Sequence, residues 1–387
     1  MQKDIFQESL ELHKKYRGKI ETQSKVPLRD KNDLSLAYTP GVAEPCRAIY
    51  KDKDRVFEYT NRGNTVAIVT DGSAVLGLGN IGPEAALPVM EGKAAIFKRF
   101  AGIDAVPICL ATQDTEEIIR TVKYLEPNFG GINLEDIAAP RCFEIEERLK
   151  AELNIPIMHD DQHGTAIVVL AGLINALRIT GKSKDAIRVV INGAGAAGTA
   201  TALLLNAFGI GNIIVCDRKG ALASARTDLN TSKKALLQKT NPENVSGDLK
   251  TVIKGADVFI GVSTLGMLNA DDVRTMNADP ILFALSNPTP EIMPDEARAG
   301  GARIIATGRS DFPNQVNNAL AYPGIFRGVL DARASAITEE MKLASAVAIA
   351  DLVSERERGE MKIIPDIFDD RVVAAVSGAV REKIARP

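Results

Sequence analysis

The stretch that decides the fold class is IRVVINGAGAAGTATALLLNAFG, residues 187–209. It reads as a β-branched strand, then Gly193-x-Gly195-x-x-Gly198, then a helix. The next apolar run ends in Asp217. A glycine-rich turn between a strand and a helix, followed by an acidic strand end, is typical of a dinucleotide-binding βαβ unit. We therefore predict a Rossmann-type domain here, and the alternative is a glycine-rich packing turn.

The glycines of this turn have separate expected tasks. Gly193 permits the tight turn, Gly195 lets the backbone approach a pyrophosphate, and Gly198 lets helix and strand pack closely. The pyrophosphate would rest on free N–H groups at the helix N-terminus. The predicted cofactor-binding set at the turn is therefore Gly193, Gly195, Ala196, Ala197 and Gly198.

The coenzyme type stays open. Asp217 could accept hydrogen bonds from a ribose 2′-hydroxyl, which favours NAD. Arg218 and Lys219 follow immediately, and they could instead hold the 2′-phosphate of NADP.

Upstream of the turn, short apolar runs alternate with helical patterns from about residue 64, which indicates a parallel α/β layer. We predict the α/β class, with an N-terminal α/β domain for substrate and metal over residues 1–162. Residues 163–387 would form a doubly wound Rossmann-type domain with C-terminal helices. A second glycine motif, residues 77–82, stands six residues beyond its strand and is interpreted as a loop that approaches substrate or cofactor.

Composition limits the function classes. Of the 387 residues, 45% are hydrophobic and 25% charged, the balance of a globular protein in water. A net charge of −3 offers no basic surface for nucleic acid. Four scattered cysteines fit reduced thiols better than disulfides or a zinc site. With neither a signal peptide nor an apolar run of the ~18 residues that a membrane span needs, we expect a cytoplasmic location.

Lys93 does not suit its surroundings in ALPVMEGKAAIFKRF, residues 86–100, which reads as a helix. Its neighbours one helical turn away are all apolar: Val89, Met90, Ile96 and Phe97. Desolvation would lower the pKa of such a lysine toward neutrality and make it a base. The alternative is a lysine whose stem covers apolar surface while its ammonium reaches water.

Two acidic pairs follow two consecutive predicted strands. Glu135 and Asp136 end one strand, and Asp160 and Asp161 end the next, just before a helix. Ligands gather beyond the carboxyl ends of parallel strands, and oxygen ligands suit Mg²⁺ or Mn²⁺. Glu135 and Asp136 can share an ion only if the chain turns there. The alternative is helix N-capping.

Two histidines, His159 and His163, are spaced i, i+4 and could suggest zinc. The hard oxygen neighbours point away from zinc, so a packing or hydrogen-bonding role is expected.

Long strings across most of the chain resemble malic enzymes in their short bacterial and archaeal form: SLAYTPGVAEPC, FGGINLEDIAAPR, HDDQHGTA, INGAGAAGTA, FALSNPTPE and TGRSDFPNQVNNALAYPG. The resemblance implies oxidative decarboxylation of L-malate to pyruvate and CO₂ with NAD⁺ or NADP⁺ and Mg²⁺ or Mn²⁺. It also implies decarboxylation of oxaloacetate, and a homodimer or higher homo-oligomer.

The resemblance assigns roles to particular residues. Tyr38 matches the general acid that protonates C3, and Lys93 the general base that takes the C2 hydroxyl proton as hydride leaves. The metal ligands would be Glu135, Asp136 and Asp161, with Asp160 supporting the lysine. Asn287 and Asn318 match contacts to substrate or nicotinamide.

One departure concerns the substrate carboxylate. Long malic enzymes carry an arginine two residues after the DG that matches Asp71-Gly72, and this chain has Ala74 there. Ser73, Asn287, Asn318 and the backbone of the 77–82 loop are the candidate anchors.

Three other functions compete with this assignment. An amino-acid dehydrogenase also joins a substrate domain to a Rossmann domain and uses a lysine, but it needs no metal. A malolactic decarboxylase would use similar parts without net redox. A non-catalytic nucleotide sensor would not need Lys93, Tyr38 and both acidic pairs together.

Overall fold

The structure is a computed structural model and describes residues 5–75 and 77–384. The ends of the two predicted domains, residues 1–4 and 385–387, lie outside the described residues.

Residues 5–60 form an exposed helical segment. Its helices are α1 (Ile5–Tyr16), α2 (Lys31–Ala37), α3 (Ala43–Lys51) and α4 (Val56–Tyr59), and none of them contains a buried residue. Lys25 is tethered to Asp104, and Arg62 to the carbonyl of Phe129. Both tethers lie at the amino ends of the sheet strands that follow.

A four-stranded parallel sheet forms the N-terminal half. Its strands are β1 (Thr65–Thr70), β2 (Asp104–Cys109), β3 (Gly131–Leu134) and β4 (Ile157–His159), in the order β2-β1-β3-β4. The connections contain α5 (Pro83–Ala101), α6 (Thr115–Leu125) and α7 (Arg141–Glu152). A strand and a helix alternate because each buried apolar run is followed by an amphipathic stretch.

A six-stranded sheet forms the second half, in the order β10-β9-β8-β5-β6-β7. The strands are β5 (Arg188–Asn192), β6 (Asn212–Asp217), β7 (Gly220–Ala221), β8 (Val258–Gly261), β9 (Ile281–Ala284) and β10 (Ile304–Thr307). All neighbours pair in parallel except β7, an antiparallel edge that the sequence did not predict. The chain winds to both sides of β5, so the predicted α/β class with a doubly wound second sheet is confirmed.

Helices flank the second sheet and close the chain: α8 (Asp160–Thr180), α9 (Ala196–Ala207), α10 (Thr231–Leu237), α11 (Leu249–Val252), α12 (Ala270–Arg274), α13 (Pro294–Ala299), α14 (Tyr322–Asp331), α15 (Glu339–Asp351) and α16 (Arg371–Glu382). Short 3₁₀ turns cover Lys53–Arg55, Asn61–Asn64, Glu126–Asn128 and Asn318–Leu320.

One hydrophobic core joins the two halves. Phe97 of α5 packs against Tyr322 and Phe326 of α14, with ring centroids 4.8 Å and 5.5 Å apart. This contact holds the helix that carries Lys93 against the C-terminal helices.

Helix α8 differs from its prediction in two ways. It begins at Asp160, whereas the second acidic pair was expected just before the helix, so Asp160 and Asp161 lie in its first turn, where carboxylates favour the helix dipole. It is also long and apolar enough, by length and composition, to span a membrane, so the expectation that no stretch would be was wrong. Within the protein 72% of that window is buried, as in a core helix.

Candidate active site

Lys93 lies on α5 with its ammonium inside a cluster of carboxylates. Its Nζ is 2.6 Å from Oε1 of Glu135 and 2.5 Å from Oδ2 of Asp160. The ring centroid of Tyr322 is 4.3 Å from the same nitrogen. Lys93 is 7% exposed, so its stem does not carry the ammonium to water, and that alternative is wrong.

The expected direction of the Lys93 pKa was also wrong. Burial disfavours the ammonium, but the adjacent carboxylates of Asp160 and Glu135 outweigh burial and hold the pKa of Lys93 well above its ordinary value. Burial in turn raises the pKa of Glu135 well above its usual range, against the opposing charge of Lys93. The apolar neighbours of Lys93 are visible in the sequence, whereas the carboxylates come from two other elements.

The three predicted metal ligands lie together. Carboxylate oxygens of Glu135, Asp136 and Asp161 are all within 4.8 Å of one another. The chain turns at Asp136, whose φ is +53°, and its backbone N–H donates to Oδ2 of Asp161 at 2.7 Å. This turn is what lets two adjacent carboxylates face one point.

The donor set fits a hard divalent cation. Glu135 and Asp136 are 3% exposed and Asp160 is fully buried, and Lys93 contacts the carboxylates of both Glu135 and Asp160. Two buried carboxylates around one ammonium favour a further cation. Carboxylate oxygens are ligands that Mg²⁺ and Mn²⁺ accept.

Asn318 reaches the same cluster from the second half of the chain. Its amide donates to Oδ2 of Asp160 at 2.5 Å, so Asp160 accepts from both Lys93 and Asn318. Asp160 is therefore held in place from two sides. Its predicted support of the lysine, and the predicted substrate contact of Asn318, remain predictions.

Ser73 is engaged within the protein, and an arginine that the sequence analysis did not single out lies beside it. The Ser73 hydroxyl donates to Asp71 at 2.5 Å and accepts from the backbone N–H of Ala138 at 2.9 Å. Nη2 of Arg141 donates to Asp71 at 2.8 Å and to the Ser73 hydroxyl at 3.0 Å. Arg141 ends the string FGGINLEDIAAPR, five residues after Asp136, and no sequence pattern marks its contact with Ser73.

Arg141 lies close to the position that lacks an arginine. Ala74 adjoins Ser73, and its backbone N–H donates to the carbonyl of Asp136 at 2.9 Å. The Arg141 side chain is 29% exposed, so part of the guanidinium remains accessible. A positive charge therefore stands beside the metal-ligand turn, although position 74 is alanine.

The glycine turn has the geometry that close packing requires. A Cβ on Gly198 would lie 1.7 Å from the carbonyl of Gly193, and Gly193 itself has a φ of +130°. Apart from its chain neighbours, no described residue has an atom within 4 Å of a Cβ placed on Gly195, the residue just before α9 begins at Ala196. Open space thus adjoins the helix N-terminus at which a pyrophosphate is expected, next to Ala196 and Ala197.

Asp217 is already paired with two cations that the sequence analysis did not name. Arg226 donates to both of its oxygens at 2.8 Å and 3.0 Å, and Lys233 donates at 2.6 Å. Although burial acts against it, these hydrogen bonds lower the pKa of Asp217 to about 2. Arg218 is exposed. The ribose end of the predicted coenzyme site therefore has no uncompensated negative charge.

The 77–82 loop meets a loop of the second sheet. A Cβ on Gly77 would lie 2.5 Å from the carbonyl of Asn287, so only glycine permits this approach. Asn287 is exposed. The structure thus brings the second glycine motif to a residue predicted to contact coenzyme or substrate.

The structure does not bring Tyr38 into the carboxylate cluster. Tyr38 follows α2 and is 66% exposed, and its hydroxyl forms no hydrogen bond with any described residue. The ring of His163 bonds Glu146 at 2.9 Å, as expected. The ring of His159 is buried, and neither of its nitrogens has a hydrogen-bond partner among the described residues, so it has the packing role instead. The backbone N–H of His159 donates to Glu146 at 3.0 Å.

Comparison with known proteins decides the family. The model of the malic enzyme N-terminal domain matches residues 17–150, and that of the malic enzyme NAD binding domain matches residues 162–386. The chain belongs to the malic enzyme family. The resemblance drawn from the quoted strings is therefore confirmed.

Among the curated malic enzymes, the chain is 60% identical to the bifunctional malic/malolactic enzyme of Bacillus subtilis, over 97% of this chain and 92% of that protein. It is 58% identical to the NAD-dependent malic enzyme of Geobacillus stearothermophilus, over 95% of this chain and 77% of that protein. The crystal structure of an NAD-dependent malic enzyme from Thermotoga maritima superposes with a TM-score of 0.93 at 52% identity, covering 96% of this chain and 98% of that one.

Proposed function

We propose that the chain catalyses the oxidative decarboxylation of malate to pyruvate and CO₂, with NAD⁺ or NADP⁺ as oxidant and Mg²⁺ or Mn²⁺ bound, and that it also decarboxylates oxaloacetate. The observation that supports this proposal most strongly is the buried contact of Lys93 with Glu135 and Asp160. It lies beside the carboxylate oxygens of Asp136 and Asp161. Membership of the malic enzyme family supports the same reaction.

Proton transfer falls to Lys93 and Asp160. A divalent cation held by Glu135, Asp136 and Asp161 would lower the pKa of a bound hydroxyl and stabilise the charge left by the departing CO₂. Lys93 is the basic nitrogen of the cluster and takes the C2 hydroxyl proton as hydride passes to the nicotinamide. Asp160, 2.5 Å from Lys93, is placed to accept the proton that Lys93 must first release.

Arg141 anchors a malate carboxylate in this proposal. A guanidinium is the usual partner of a carboxylate because it offers paired, charged donors. Arg141 contacts Ser73, the neighbour of Ala74, and remains partly exposed. The Ser73 hydroxyl already bonds Asp71 and Ala138, so it orients Arg141 rather than holding substrate.

Tyr38 acts in the site of a second copy of the chain. Its segment, residues 26–51, has no buried residue, yet it carries large apolar side chains that are more than half exposed: Val26, Leu28, Leu34, Leu36, Tyr38 and Tyr50. Exposed apolar side chains in this number favour association. Two tethers, from Lys25 to Asp104 and from Arg62 to Phe129, lie at the amino ends of the strands, whereas the carboxylate cluster lies at the carboxyl ends. A symmetric homodimer would bury the segment and exchange Tyr38 between sites.

Co-expression of Tyr38→Phe with Lys93→Ala tests this exchange. If the two residues of one site come from different chains, each mixed dimer has one intact site. The mixture should then regain about one quarter of wild-type activity, because half of randomly formed dimers are mixed. If both residues came from one chain, every site would carry a defect and the mixture would be as inactive as the single variants.

Malolactic decarboxylation is the second candidate, because the relative from Bacillus subtilis is named bifunctional malic/malolactic enzyme. Product analysis separates the two reactions. With malate, Mn²⁺ and NAD⁺ or NADP⁺, oxidative decarboxylation yields pyruvate and reduced coenzyme in equal amounts, whereas the malolactic reaction yields lactate without net reduction. Activity that survives complete chelation of the metal would contradict both reactions.

The cytoplasmic location remains a prediction that cell fractionation would test.

A further inference from the structure

A cavity of about 710 Å³ lies behind the metal-ligand turn, between α7, α9, α10 and the first turns of α8 and α15. Pockets for small molecules commonly have this size. Its walls are largely apolar and include Phe143, Leu203 and Leu236, while His163 and Lys342 supply polar groups. Neither the glycine turn nor the carboxylate cluster lines it, so it is separate from the site above.

Lys342 is the unusual residue of this cavity. It is 9% exposed, and among the described residues it has no carboxylate within 4.0 Å of its ammonium. The one hydrogen bond of its ammonium to a described residue joins Nζ to Nδ1 of His163 at 3.0 Å. By contrast, Lys93 and Lys182 contact carboxylates at 2.5–2.6 Å. A buried ammonium that contacts no carboxylate is costly, and an anion in the cavity would relieve that cost.

The groups behind Lys342 do not neutralise it. Because an ammonium only donates, Nδ1 of His163 must accept, and its Nε2–H then donates to Glu146 at 2.9 Å. The ring is therefore neutral. Glu146 also accepts from Lys150 at 2.5 Å, so one carboxylate faces two ammonium groups. The lining has three further acidic residues that are exposed: Glu144, Glu147 and Glu339. Water therefore screens the interaction of their carboxylates with Lys342.

We propose that this cavity binds a small amphipathic carboxylate, whose carboxylate pairs with Lys342 and whose apolar body packs between α7, α9 and α10. One buried ammonium that contacts no carboxylate of a described residue suits one carboxylate. The area of apolar wall around Phe143, Leu203 and Leu236 suits a short aliphatic or aromatic body rather than a bare inorganic anion.

Occupancy is coupled to metal binding. Lys342 contacts His163, His163 contacts Glu146, and Glu146 accepts the backbone N–H of His159, the residue before Asp160 and Asp161. An anion that draws Lys342 toward the cavity alters the hydrogen bond that holds His163 and, through Glu146, the turn that carries a metal ligand. The bound carboxylate therefore changes the affinity of the protein for Mn²⁺, and Mn²⁺ changes the affinity for the carboxylate by the same factor.

Calorimetric titration with 4-phenylbutyrate and its neutral amide, 4-phenylbutyramide, tests the site. The full chain is loaded with Mn²⁺, NADH and excess malate, so that the catalytic site is filled. The acid should bind at least ~10-fold more tightly than the amide, as a charged contact with Lys342 requires. Lys342→Met should remove that preference, and Lys342→Arg should keep most of it. Leu203→Trp should weaken both ligands by narrowing the cavity.

Lys239→Met is the matched control, because Lys239 also lines the cavity but is exposed, and it should leave both affinities within ~2-fold. Any of three results would overturn the proposal. The acid and the amide could bind equally, neither could bind, or the preference for the acid could survive in Lys342→Met. A second titration, with Mn²⁺ in the presence and absence of the acid, should show at least ~2-fold coupling in wild type and none in Lys342→Met. Absence of coupling in wild type would overturn the link to the metal.

Discussion

The two buried lysines, Lys93 and Lys342, have similar exposure and opposite surroundings. Lys93 is 7% exposed and touches two carboxylates, while Lys342 is 9% exposed and touches a neutral imidazole. Adjacent carboxylates outweigh burial and raise the pKa of Lys93, whereas burial lowers the pKa of Lys342 to about 8. Burial by itself therefore does not decide the charge state of a lysine; the nearest charged partner does.

The contrast also separates two binding chemistries. Lys93 lies between two buried carboxylates, which favours a dication at that site. The ammonium of Lys342 has no carboxylate of a described residue within 4.0 Å, which favours an anion in the cavity. Variants of each lysine, and of residues around it, test this contrast.

The largest expected effect is that of Lys93→Met. Removal of the proton acceptor should lower kcat by at least ~10³-fold, within the usual range for general base catalysis. NADH binding, measured by fluorescence, should persist because Lys93 does not line the glycine turn. Lys342→Met serves as the reference and should retain most activity. A Lys93→Met enzyme within ~10-fold of wild type would exclude Lys93 from proton transfer.

Metal removal comes next. Chelation should abolish malate oxidation, and Mn²⁺ should restore it. Asp161→Asn should weaken Mn²⁺ binding at least ~10-fold, because an amide oxygen carries no charge to meet the dication. Calorimetry with Mn²⁺ measures the effect, and Asp351→Asn, on the surface of α15, is the control. Unchanged Mn²⁺ affinity in Asp161→Asn would show that the cluster is not the metal site.

A smaller effect is expected for Arg141. Arg141→Gln should raise the KM for malate ~10-fold to ~100-fold, because it removes a charged hydrogen-bonded contact with the substrate. The KM for the coenzyme should change little. Ala74→Arg in the same chain should restore part of the affinity, because it returns a guanidinium to the neighbouring position. Arg148→Gln, an exposed arginine on α7, is the matched control. A malate KM that does not move in Arg141→Gln would remove Arg141 as the anchor.

The smallest effect concerns stability. Lys342 has a pKa lowered from 10.5 to about 8 in the folded protein, so between these values the unfolded chain binds more protons and folding stability rises with pH. The groups that face it are His163, Glu146, Lys150 and Glu339. Lys342→Met should therefore raise Tm by a few degrees at pH 7, roughly as expected for relief of a buried charge.

That gain should shrink as pH rises from about 8 to about 10.5. Thermal unfolding of both proteins across this range measures it. A Tm difference that is independent of pH would mean that Lys342 is not held in an unfavourable charged state.

The sequence predicted the strands well and the electrostatics poorly. The other nine strands are predictable because each is a mainly apolar run between turn residues, whereas β7 is only Gly220–Ala221 and carries no such pattern. The grouping of Glu135, Asp136 and Asp161 was predictable because strand ends of a parallel sheet share one edge, and their role as metal ligands remains a prediction. The pKa direction of Lys93 was not, since it depends on Glu135 and Asp160, which are distant in sequence.

Other parts of the site needed the folded chain. Arg141, the first residue of α7, meets Asp71 and Ser73, which follow β1, only in the folded chain, and no spacing in the sequence indicates that contact. The same holds for the pairing of Lys233 with Asp217 and for the exposure of Tyr38. The hydrogen bond between Lys342 and His163 joins residues 179 positions apart, so no local sequence pattern indicates it.

The most direct test of the central claim is anomalous diffraction from crystals grown with Mn²⁺ and NAD(P)H. The account predicts one strong manganese peak per chain within bonding reach of Glu135, Asp136 and Asp161, with the nicotinamide ring over the same cleft and near Lys93. A carboxylate cluster without manganese, or a nicotinamide bound far from Lys93, would contradict it.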